Sequence, residues 1–119
     1  MAIKVNTRFH PFRLNINRKE PVQLSIELEN TFEVPKMLTM ELVLSRELSL
    51  DKGGIHNSSV KRIDALESNK AETYYYNLYP KLITRSGEQP MQIKILQHYN
   101  EYKFVEKEQI HPFTLRVDD

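Results

Sequence analysis

The chain has no cysteine and only three glycines among its 119 residues. Without cysteine, thiol chemistry, structural disulfides and zinc-thiolate sites are all excluded. Glycine this scarce leaves nothing to build a phosphate cradle, and no P-loop, dinucleotide fingerprint or Gly-x-Ser-x-Gly elbow is present. No uncharged apolar run approaches the roughly 18 residues that a membrane helix needs, and the N-terminus lacks a signal-peptide core. The chain is therefore expected to be soluble, with its compartment left open. A formal charge of +1 rules out a strongly basic or acidic surface overall, and a charged fraction of 28% rules out a low-complexity tract. One domain, residues 1–119, is the natural division at this length, with a single core that needs no staples.

Alternation is what the sequence does contain. Val22, Leu24, Ile26 and Leu28 alternate strictly with Gln23, Ser25, Glu27 and Glu29. A period of two is the mark of a strand with one dry and one wet face. After the turn formers Asn30-Thr31 and Pro35, the pattern resumes with Leu38, Met40, Leu42 and Leu44. Two such strands with no helix between them predict an antiparallel sandwich or barrel. Ile3, Val5 and Phe9 predict an opening strand, broken by a kink at Pro11 and resumed by Phe12, Leu14 and Ile16 at a sheet edge. Later strands are expected around Tyr74, Tyr76 and Leu78, around Met91, Ile93 and Ile95, and around Phe113, Leu115 and Val117. Asn100-Glu101 reads as a tight turn into a strand starting near Tyr102 or Phe104. That makes about seven strands at the short spacing of sandwiches. Asp51–Ser59 is the longest loop candidate. Residues 60–67 are open to two readings, because Val60, Ile63 and Leu66 at intervals of three suit either a helical turn or an irregular edge strand.

The segment Ile26–Pro35, followed by an alternating strand, resembles the start of immunoglobulin-like modules of the CARDB type, the cell-adhesion-related domains of bacterial and archaeal proteins. In that family the second strand typically ends in asparagine and a short turn, as Asn30-Thr31 does here. Ile63 and Leu66, the polar turn at residues 67–70 and the aromatic strand to Tyr79-Pro80 resemble its middle section. The chain departs from the family in having Phe32 where glycine is usual, and in using Asn69 as the expected positive-φ residue of the second turn. The resemblance implies an all-β, antiparallel immunoglobulin-like sandwich and a non-catalytic role in spacing or in binding a protein or surface. The chain begins and ends almost flush with its outer strands, as one module of a longer protein would and as small standalone proteins also do.

Few residues suggest chemistry. His10, His56, His98 and His111 lack metal-motif spacing and read as single surface histidines. Asp51 beside Gly53-Gly54 is a poor calcium loop, because Lys52 and Ile55 occupy positions that should supply oxygens. Asn57-Ser58-Ser59 is a glycosylation sequon only in a secretory host. Neither a metal nor a cofactor is expected.

Residues 1–20 carry Lys4, Arg8, Arg13, Arg18 and Lys19 against Glu20, and residues 21–51 carry six acids against Lys36 and Arg46. Complementary neighbouring strands account for this, as would a basic strip for an acidic partner. The tyrosines are the remaining singularity. With Tyr74 and Tyr76 facing inward, Tyr75 and Tyr79 share the outward face. They serve there as strand formers paired across the sheet, or as anchors for a protein partner or a neighbouring domain of the same protein. A third reading has them stacking bases, with Lys81 and Arg85 on phosphates, in an OB-like barrel whose helix would span residues 59–70. Near-neutral total charge weighs against nucleic acid.

Overall fold

The computed structural model describes residues 2–18, 20–81 and 83–119, and the fold is built from two β-sheets packed face to face. The strands are β1 (Ile3–His10), β2 (Arg13–Asn15), β3 (Val22–Asn30), β4 (Lys36–Val43), β5 (Leu48–Ser49), β6 (Ser58–Leu66), β7 (Ala71–Pro80), β8 (Gly87–Tyr99) and β9 (Glu101–Asp118). One sheet has the order β1-β3-β7-β5 and the other β2-β9-β8-β4-β6. Seven strands are long, while β2 and β5 are short additions at one end.

The predicted dry faces form the core. Leu24, Ile26 and Leu28 of β3, Leu38, Met40 and Leu42 of β4, Ile93 and Ile95 of β8 and Leu115 and Val117 of β9 have no exposed surface. Tyr74 and Tyr76 point inward as expected but are only half-buried, packed against the rim of this core. Burial of alternate residues from two opposed sheets is the arrangement that the period-two pattern requires.

Several local features differ from the sequence reading. Pro11 does more than kink the first strand. The chain leaves the first sheet after His10, and β2 joins the second sheet parallel to β9, pairing Leu14 with Val117. Leu14 is thereby buried, while Phe12 falls in the crossover and is 86% exposed rather than continuing the dry face. Tyr102 and Phe113 belong to one unbroken strand, β9, which forms a long hairpin with β8 around Asn100 in the left-handed conformation (φ 65°).

The segment from Val60 belongs to the edge strand β6, which runs to Leu66, and is not a helix. Lys36 pairs with Leu66, whereas Leu38 pairs with Ile63, so β6 carries one more residue than β4 across this step. The extra residue is a β-bulge. It turns a spacing of three into two side chains on the same face, and both Ile63 and Leu66 are buried. The helix that an OB-like barrel needs at residues 59–70 is absent, and with it the fold on which the nucleic-acid reading rested.

Asn30 closes the corner between the sheets. Its side chain donates to the Val34 and Leu66 carbonyls (2.9 and 2.8 Å) and accepts from the Phe32 amide (2.8 Å). Its main chain accepts from the Asn69 amide and donates to the Lys70 carbonyl. Asn69 has φ 59°, the positive value expected of it. The asparagine that marks the family resemblance is therefore a fully buried, hydrogen-bonded tie between β3, β6 and the turn into β7.

Candidate interaction surface

The outer face of the β1-β3-β7-β5 sheet is set by the odd-numbered residues of β7 and their partners. Tyr75 stands opposite Ser25 of β3, which lies opposite Arg8 of β1. Thr73 and Asn77 flank it along the strand. Ser25, Thr73 and Asn77 are short, and Tyr75 is 63% exposed. Asn77 separates Tyr75 from Tyr79 by about 13 Å of strand. The two tyrosines share a face without touching as a pair.

Tyr79 occupies a different setting. It is half-buried beside β5, where it pairs with Ser49, and lines a cleft of about 620 Å³ with Ile16, Lys52, Gly53, Gly54, Pro80, Lys81 and Ile83. Three separate stretches of chain meet there: the 3₁₀ turn Ile16–Arg18, the loop after β5, and the end of β7 with the link that follows it. Ile83 is largely exposed. An apolar floor flanked by two lysines suits an amphipathic side chain with an acidic neighbour. Sequence reasoning found Tyr79 and Lys81 but missed Ile16, Lys52 and Ile83 as companions, since only the fold brings these segments together.

Asp51 organises the wall of this cleft. Its Oδ1 lies 2.6 Å from the Ser49 hydroxyl and accepts the His56 and Ile55 amides at 2.7 and 3.0 Å. The Ser49 hydroxyl and then the His56 amide hold its carboxyl down to about 2. The carboxylate oxygen considered for calcium is thus used to fold its own loop, with Gly54 supplying a positive φ of 75°.

The charge asymmetry resolves largely into neighbouring strands. Lys4 is the cross-strand partner of Glu29, and Asn6 Nδ2 donates to Glu27 across the same pair of strands. Arg13 lies 3.5 Å from Asp118. Lys19 lies outside the described residues. Arg85, offered as a phosphate contact, instead pairs with Glu47 at 3.3 Å.

The histidines do not converge, and no group of three metal-ligating side chains forms among the described residues. His10 and His56 are exposed, and His111 is half-buried with its Nε2 3.0 Å from Gln109 Nε2. His98 departs from the surface reading. It is buried, with Nε2 2.7 Å from the Thr39 hydroxyl, Nδ1 3.2 Å from the Phe104 carbonyl and Tyr102 edge-on to its ring. Those partners come from two other strands, and they satisfy both ring nitrogens. Tyr102 in turn donates to Asp64, which raises its hydroxyl pKa. No helix of the described residues is long and apolar enough to cross a membrane.

No family model matches the chain, and no curated protein matches it in sequence. Solved structures do match in fold. Native alpha-2-macroglobulin from Escherichia coli, in a structure running from domain MG7 to the C-terminus, superposes with a TM-score of 0.69 at 17% identity over 99% of this chain. This chain spans 17% of the length of that one. The CARDB domain of a Pyrococcus furiosus protein, solved with di-metal ions, gives a TM-score of 0.59 at 12% identity over 98% of this chain and 92% of that domain. The major subunit of Myf fimbriae from Yersinia enterocolitica, in self-complemented form, gives 0.55 at 14% identity over 98% and 99% of the two chains. The fold is an immunoglobulin-like β-sandwich of the kind seen in the CARDB domain.

Proposed function

We propose that this chain is a non-enzymatic protein-interaction or spacer module. It holds a protein partner, or a neighbouring domain of the same protein, on the outer face of the β1-β3-β7-β5 sheet. The observation that carries this reading is Tyr75, a large amphipathic ring left 63% exposed at the middle of a sheet face among small polar neighbours. Interface hot spots are enriched in tyrosine because its ring buries much area on few rotatable bonds. Tyr79 and its lysine-flanked cleft extend the same face toward the end of the sandwich. A CARDB domain and a fimbrial subunit share the fold, which is consistent with a role in assembly.

The test is photocrosslinking in the native host, with a photoreactive residue placed in turn at Tyr75, Tyr79 and, as a control, exposed Val60 on β6. The proposal expects one discrete protein adduct from Tyr75 and Tyr79 and none from Val60. The Tyr75→Ser/Tyr79→Ser variant should keep the unfolding midpoint nearly unchanged. Adducts from all three positions alike, or from none, would refute the assignment of this face.

A further inference from the structure

The edges of the two sheets are not equally protected. An exposed strand edge presents unpaired main-chain donors and acceptors, and proteins blunt it with charges, prolines, bulges or brevity. β2 and β5 are three and two residues long. β9 interleaves Lys103, Glu106, Lys107 and Glu108 along its free length and loses register with β8 near the hairpin tip. β6 has its bulge and three charges. β1 presents Lys4 and Arg8, and its Ile3 carbonyl accepts from Gln109 of the opposite sheet.

β7 is the exception. Its outer edge meets β5 only at Tyr79 and Pro80, so Ala71–Leu78 has no further strand beside it among the described residues. That stretch pairs with β3 from Ala71↔Glu29 to Leu78↔Val22 without a bulge. It contains a single charge, Glu72, whose Oε2 already accepts the Tyr74 hydroxyl at 2.5 Å. The rest is Ala, Thr, Tyr, Asn and Leu, including three consecutive tyrosines. This is an open, bulge-free and strand-prone edge about 27 Å long.

We infer that β7 is a strand-addition edge and that its occupant is the β7 of a second copy of this chain. The two strands run antiparallel about a two-fold axis at Tyr74. The choice of occupant rests on self-complementarity. In that register Glu72 faces the hydroxyl-bearing Tyr76, Thr73 faces Tyr75 and Ala71 faces Asn77, so no like charges meet. β-Branched Thr73 meets aromatic Tyr75 on the outer face, and the two copies of Tyr74 meet on the inner one. A two-fold centred on Tyr75 would instead set Glu72 opposite Leu78, which is buried in its own core. The two four-stranded sheets would join into one continuous sheet, with main-chain hydrogen bonds supplying affinity and tyrosines the register. The contact is small, and the dimer it forms is a weak one. The inference concerns the strand on which the proposed partner face rests, but it is tested without any partner.

Sedimentation equilibrium of the purified chain from micromolar to millimolar concentration is the first arm. The wild type should pass from monomer to dimer across that range. The Thr73→Lys/Tyr75→Lys variant, which opposes two pairs of lysines across the axis, should weaken association at least about tenfold. The second arm uses the absence of native cysteine. Thr73→Cys protein mixed with Tyr75→Cys protein under mild oxidation should yield the mixed disulfide in preference to either homodimer, and this arm stands even where the lysine variant fails to fold. A wild type that stays monomeric at millimolar concentration would overturn the inference and leave the edge to another protein's strand. Unchanged association in a folded lysine variant, or random crosslinking, would overturn it equally. Photocrosslinking to a different protein at Tyr75 would survive either failure.

Discussion

β6 and β7 are joined by the turn at residues 67–70 and lie on the same side of the sandwich, yet they solve the edge problem in opposite ways. β6 carries Lys61, Arg62 and Asp64 in nine residues and drops Ile63 and Leu66 onto the core through a bulge. β7 keeps an unbroken register with β3 and places tyrosines where β6 places charges. The neighbouring strand in each sheet is equally apolar on its inner face, so burial does not explain the difference. Charge and irregularity on β6 turn away an incoming strand, and their lack on β7 leaves a template open. Edge character here is written residue by residue, not by position in the fold.

The largest effect should come from the strand that anchors β7. Ile26 pairs with Thr7 on one side and Tyr74 on the other and has no exposed surface. Ile26→Ala should cost about 2–5 kcal/mol in urea unfolding. Glu27→Ala, on the wet face of the same strand, should stay within about 0.5 kcal/mol. Equal losses at both positions would show that β3 and β7 do not share the register described.

The next largest concerns β6. Inserting an alanine between Met37 and Leu38 would match β4 to β6 residue for residue, remove the bulge and turn Leu66 out of the core, because residues three apart in a regular strand point to opposite faces. The expected loss is about 1.5–3 kcal/mol, the value of burying one leucine. An unchanged unfolding midpoint would mean that the bulge is not what seats Leu66, and the contrast between the two strands would lose one of its terms.

The smallest effect is acid dependence at the entry to β6. Asp51 titrates at about 2 in the folded chain against 3.8 for an ordinary aspartate. A folded pKa lowered in this way contributes stability above about pH 4, and that contribution is lost as pH falls toward 2. The amides of Ile55 and His56, both bonded to this carboxylate, should lose protection relative to their intrinsic exchange rates on acidification through that window, while the amides of β7 paired with β3 should not follow them. An equal loss of protection in β7 would show that the loop and the sheet open together.

Much of this fold could be read in advance, and particular residues show where legibility stopped. Val22–Asn30 and Leu38–Leu44 announced their faces because every other side chain carried the signal. Ile63 and Leu66 did not, since the bulge that puts them on one face is created by where β4 pairs, which a spacing of three cannot distinguish from a helical turn. Phe12 looked like a core residue because a proline kink and a crossing to the other sheet leave the same local pattern. His98 looked like a surface residue because the Thr39 and Phe104 groups that satisfy it are distant in sequence. Of the candidate surface, the outward direction of Tyr75 followed from alternation alone. The cleft around Tyr79 did not, being assembled from three segments whose proximity is a product of topology.

The central claim is that β7, and not β6 or β9, is the edge used for association. Residue-resolved amide exchange at micromolar and near-millimolar concentrations tests it most directly. The account predicts that alternate amides between Ala71 and Leu78, those pointing away from β3, gain protection as concentration rises, while β6 and the free edge of β9 stay unchanged. Protection gained along β6 or β9 instead, or at no strand edge at all, would contradict it.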